Sequence, residues 1–63
     1  MTREEIVQNV GQYVNIGPFN KWQNDHLGKV WTIIKLTKGG MCFAKWGDET
    51  IVAPPYYVTL HEG

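Results

Sequence analysis

Asp25 and His26 stand side by side in the polar stretch FNKWQNDHL, and Cys42 and His61 complete the set of groups suited to proton or acyl transfer. A cysteine beside a histidine can make a nucleophilic pair, the imidazole drawing off the thiol proton. Cys42, however, lies inside the run MCFAKW, whose alternation suggests a strand interior. Cysteine is among the most buried residue types, so Cys42 reads as a buried structural thiol. His26 reads as a polar loop residue and His61 as a solvated one near the C-terminus. Two histidines and one cysteine lack the spacing of a zinc site. The sequence contains no phosphate-binding glycine loop, no dinucleotide fingerprint and no HExxH. It therefore reads as non-enzymatic, with no cofactor and no metal.

Binding is the chemistry that remains. Trp22 sits in the polar stretch, while Trp31, Ile33, Lys35 and Trp46 share one side of the β pattern described below. An apolar-aromatic centre with a charged rim has the composition of a protein interface, and these five residues are the candidate contacts. The same lysine among aromatics allows the alternative of a nucleic-acid surface, where rings stack on bases and ammonium groups meet phosphates. A third reading gathers Tyr13, Trp22, Trp46 or Tyr56 into a cage for a cationic side chain.

The stretch that must position these groups is Gly28–Val52, GKVWTIIKLTKGGMCFAKWGDETIV. Residues 29–37 and 41–46 read as antiparallel strands around Lys38-Gly39-Gly40. Gly47-Asp48 makes a tight turn into a further strand, 49–53. With both hairpin loops taken as even-numbered, one face carries Val30, Thr32, Ile34, Leu36, Met41, Phe43 and Val52, and this is the expected core. The other carries Trp31, Ile33, Lys35, Cys42, Ala44, Trp46, Glu49 and Ile51. Its apolar members are expected either to lie under the rest of the chain or to meet a partner.

The rest of the chain supplies the frame. Thr2 and Glu5 fit a capping box at the start of a helix 2–10, with Ile6, Val7 and Val10 as its apolar stripe and Gly11 as its stop. Residues 12–16 alternate as a strand, Gly17-Pro18 ends it, and 19–27 is a long loop. Pro54-Pro55 interrupts the sheet, and 56–61 reads as the last strand.

Sixty-three residues make one domain with a small core, and a single cysteine forbids an internal disulfide. Eight aromatics are the expected compensation, since each ring buries a large area; homodimerisation is the other usual remedy. Equal numbers of acidic and basic residues argue against binding that relies on an overall basic field, though not against a local patch. No signal layout and no apolar run of spanning length appears, so no membrane role is expected and the cytoplasm is the default location. Short, neutral chains without catalytic residues are common among phage and mobile-element accessory proteins.

Residues 11–60 resemble the SH3-like small barrels of the KOW and Tudor kind. The resemblance is carried by Gly11-Gln12-Tyr13-Val14-Asn15-Ile16, a long loop, then Gly28-Lys29-Val30-Trp31-Thr32-Ile33. A meander through Trp46-Gly47-Asp48 follows, with Tyr57-Val58-Thr59-Leu60 closing. It implies a mainly β fold: a small barrel of four to five antiparallel strands (12–61) with a short N-terminal α-helix. Modules of this kind bind RNA, methylated side chains or other proteins. A binding or regulatory accessory that engages a protein partner is the first expectation, and a nucleic-acid-binding barrel the alternative.

Overall fold

The computed structural model describes residues 1–22 and 24–62. It is mainly β: one short N-terminal helix and five antiparallel strands in a single sheet. Helix α1, Arg3–Gln8, starts where the capping box places it. The Glu5 amide donates to Thr2 Oγ1 at 3.2 Å and the Thr2 amide to Glu5 Oε1 at 2.9 Å. The amide and hydroxyl of Thr2 hold the exposed Glu5 carboxyl below its ordinary pKa. Gly11 then turns the chain at φ +90°, a conformation that a residue with a Cβ adopts only with strain. The helix is shorter than the expected 2–10, and its stripe reduces to one residue. Ile6 is fully buried, while Val7 and Val10 stay exposed.

Strand β1, Tyr13–Ile16, follows the expected alternation, with Val14 and Ile16 inside and Tyr13 outside. Strands β2 (Trp31–Leu36), β3 (Cys42–Trp46) and β4 (Glu49–Ala53) form the meander. A 3-10 turn at Pro55–Tyr57 replaces the start of the expected last strand, and β5 is limited to Val58–Leu60. Proline at the first position of that turn fits, because its missing N–H would have no partner there. Spatial order is β4-β3-β2-β1-β5, so β4 and β5 are the two edges.

The two faces are the reverse of the expected ones. The core consists of Ile6, Val14, Ile16, Trp31, Ile33, Cys42, Ala44, Ala53 and Val58. Phe43 is only half-buried and Val52 and Ile34 are exposed, so the residues expected to form the core lie largely outside. Side-chain volume explains the choice. Cys42, Ala44 and Ala53 are small and neighbour one another across β3 and β4. The hollow they leave takes the large Trp31 ring and the Ile6 side chain, and interiors fill by such pairing of large with small.

A bulge accounts for the remaining differences. Ile33 lies opposite Ala44, but Lys35 lies opposite Phe43 and Leu36 opposite Cys42, so Ile34 is the extra residue. The strand changes phase there. Trp31 and Ile33 point inward before it; after it Leu36 packs on the core and Lys35 faces out beside Phe43. Even parity holds for the β3–β4 turn, where Trp46 faces Glu49, and fails across β2–β3.

Trp31→Ala removes a ring that is 2% exposed and should cost about 3–5 kcal/mol, comparable with the whole stability of so small a core. Phe43→Ala, on the outer face, should leave a folded domain at a loss of roughly 1 kcal/mol. Thermal melts followed by circular dichroism compare the two. A folded Trp31→Ala protein beside an unfolded Phe43→Ala protein would reverse the face assignment.

Candidate functional site

Between β1 and β2 the chain makes an excursion whose described residues, 17–22 and 24–30, bring Phe19, Asp25, His26 and Lys29 to the β4 edge. Its anchor is His26, the polar loop residue the sequence suggests, which the fold buries. A carbonyl oxygen can only accept, so His26 Nε2 carries the proton it donates to the Gly17 carbonyl at 2.7 Å. Phe19 packs on the imidazole with ring centroids 4.9 Å apart, and on Tyr57 at 6.2 Å. The main-chain carbonyl of His26 in turn accepts from the indole Nε1–H of Trp31 at 3.2 Å. Loop and core are thus joined through one buried donor.

The contacts continue outward from the core. Trp31 meets Trp46 with centroids 6.4 Å apart and planes inclined by 55°. The ammonium group of Lys29 lies 4.5 Å from the centre of the Trp46 ring and 3.0 Å from Glu49 Oε2. Lys29–Glu49 is the one ion pair among the described residues. Its partners are partly exposed, so it fixes the direction of the lysine more than it stabilises the fold.

These residues enclose a groove of about 350 Å³. One wall is the loop, through Phe19, Asn20, Asp25, His26 and Lys29, with Trp31 contributing from the sheet. The other wall is four consecutive residues of the β4 edge, Glu49–Val52. Because neighbouring strand residues point to opposite faces, four in a row can line a groove only if the main chain itself runs along it. Trp46 and Glu49 flank a two-residue turn and form a hydrogen-bonded pair; from there the ladder alternates. The N–H and C=O groups of Thr50 and Val52 therefore point away from β3, toward the open edge.

The expected contacts divide among four places. Trp31 and Ile33 are core residues, at 2% and 1% exposure, and are corrected from candidate surface to structural support. Trp46, at 42%, flanks the groove. Trp22 is 89% exposed on the loop. Lys35 is turned to the outer face by the bulge, 5.8 Å from the centre of the Phe43 ring. No two of Tyr13, Trp22, Trp46 and Tyr56 stack on each other; Trp46 pairs with Trp31 and Tyr56 with Tyr57. Of the groove residues, Glu49 is one the sequence places on the charged rim of the interface, whereas Phe19 and His26 gave no signal as contacts. The one clue was density of aromatic and imidazole groups in a loop that has to fold back on a small sheet.

Cys42 has no exposed surface, and burial pushes its thiol above the ordinary value of 9.0. No group of three or more metal-ligating side chains exists among the described residues. No described helix is long and apolar enough to cross a membrane. Comparison with known proteins finds no family, no curated protein and no solved structure that matches this chain.

The folded state holds the Cys42 proton more tightly than the unfolded chain. That contribution to stability is complete below the unfolded value of 9.0 and is lost as pH rises above it. At pH 8 a disulfide-exchange reagent should label Cys42 only at the rate of unfolding, and at once in urea. Immediate labelling of the native protein would place the thiol at the surface.

Proposed function

We propose that this protein is a non-enzymatic binding module that engages a protein partner by taking an extended segment into the groove beside β4. The observation that carries the reading is the run Glu49–Val52 along one wall of that groove. An unpaired strand edge offers main-chain donors and acceptors to any polypeptide, whatever its sequence. Selectivity would come from the apolar floor of Phe19, Trp31 and Ile51 and from the Lys29–Glu49 pair with Asp25 at the rim. A long exposed edge is otherwise an aggregation hazard, and a covering loop set back by a groove limits access to a single thin segment.

The SH3-like reading is part of this proposal. It is supported by the strand order β4-β3-β2-β1-β5, the long β1–β2 excursion and the 3-10 turn before β5. The sharply bulged β2, shared by both halves of the sheet, agrees with it as well.

Peptides selected from a random display library supply the probe. They should shift the amide signals of residues 49–53 and the Trp46 indole signal in NMR spectra. Val52→Pro deletes one edge donor without touching the ladder to β3, and should keep the fold while weakening those peptides at least tenfold. Selected peptides that leave residues 49–53 unshifted, or that bind a folded Val52→Pro protein unchanged, would refute the edge-strand reading.

A further inference from the structure

The neutral total charge conceals a sharp partition. Between Asp25 and Asp48 there is no acidic residue, and the stretch contains Lys29, Lys35, Lys38 and Lys45. Lys29 is the only one of the four with a carboxylate within ion-pair distance among the described residues. Lys35 and Lys45 lie on the outer face of the sheet and Lys38 in the β2–β3 loop. Arg3 adds a fifth positive group at this loop. A Cβ at Gly40 would come within 2.7 Å of its guanidinium Nε, so side chain and loop are packed together.

Aromatic rings accompany these charges. Tyr13, 63% exposed, begins a row across the outer face in which Tyr13 lies opposite Thr32, Thr32 opposite Lys45, and Lys45 opposite Thr50. The adjoining row runs Lys35, Phe43, Val52. Phe43 thus has Lys35 beside it across the strands and Lys45 two residues along its own strand, about 7 Å away. The only carboxylate in any strand is Glu49, and it is held at the groove by Lys29. The outer face of the sheet therefore presents two ammonium groups with no carboxylate within ion-pair distance among the described residues, the exposed Tyr13 ring, the half-buried Phe43 ring with Lys35 Nζ 5.8 Å from its centre, and hydroxyls of Thr32, Thr50 and Thr59.

We infer that this outer face is a second binding surface, meeting the groove only at β4, whose ligand is single-stranded nucleic acid. The phosphates would meet Lys35, Lys45 and Lys38, and unstacked bases would lie on Tyr13 and Phe43. Charge complementarity selects a polyanion, and the exposed rings select bases over a polyanion without them. Duplex nucleic acid keeps its base faces stacked inside and cannot use the rings. The site does not depend on the groove reading: Thr50 and Val52 belong to both, but the lysines and rings that would hold the ligand, Lys35, Lys38, Lys45, Tyr13 and Phe43, do not line the groove.

Fluorescence anisotropy of labelled dT12 and rU12, titrated with the full chain between 20 and 200 mM salt, tests the inference. Binding should weaken with salt. Each phosphate neutralised on a single strand adds roughly 0.7 to the slope of log K against log salt, so Lys35→Gln/Lys45→Gln should lower that slope by about 1.4. Tyr13→Ala should weaken binding roughly fivefold or more and leave the slope unchanged. Both variants change exposed side chains, and amide spectra confirm that each is folded. Three results would overturn the proposal: no binding at 20 mM salt, poly-glutamate or a 12-base-pair duplex bound as tightly as dT12, or affinity unaffected by Tyr13→Ala.

Discussion

The Trp31 indole N–H is buried, and a buried donor without an acceptor costs about 1–3 kcal/mol. Its acceptor is the carbonyl of His26, on the far side of a loop that has no ladder of its own. The loop conformation and the sheet interior are therefore mutually dependent. His26 reaches its place because its ring donates to Gly17 and packs on Phe19, closing the excursion on itself. Trp31 then supports Trp46, Trp46 lies under Lys29, and Lys29 holds Glu49. The groove wall is the outermost member of a chain that starts in the core.

Small size makes this economy necessary. With no disulfide and one short helix, the protein closes its inner face with Ile6 from the helix, one tryptophan and small residues around it. The amino group of Met1 donates to the carbonyls of Pro55 and Val58, both at 2.7 Å, and so ties the segment before the helix to the 3-10 turn and β5. Gly17 donates to Tyr57 at 2.8 Å on the same side. Loop, turn and the segment before the helix meet beside β1 and β5. The β4 edge, by contrast, is covered only across the groove.

Local signals made much of this fold legible. The capping box, the alternation of Tyr13, Val14 and Ile16, the Gly47-Asp48 turn and the Pro54-Pro55 break all give the structure that their chemistry requires. The core face did not follow, because aliphatic count favoured Val30, Ile34 and Val52, whereas shape favoured three small residues around one tryptophan. A signal for the bulge was present: Trp31, Ile33 and Leu36 are apolar while Lys35 is not, which strict alternation cannot satisfy on one face. Lys35 is consequently on the outer surface, and Trp31 and Ile33 underlie the site without entering it. His26 was not legible, since burial of a loop histidine depends on a carbonyl and a ring brought near only by the folded loop.

The central claim is that the Trp31 indole, locked to the loop, holds sheet and groove together. Hydrogen exchange of the three indole N–H groups, resolved by NMR, tests it most directly. The Trp31 signal should exchange only through global unfolding, at the rate of the slowest core amides, while the exposed Trp22 signal exchanges at close to the free rate. Trp46 should fall between them. A Trp31 indole that exchanges as fast as Trp22 would contradict the account, because loop, core and groove wall would then lack their common support.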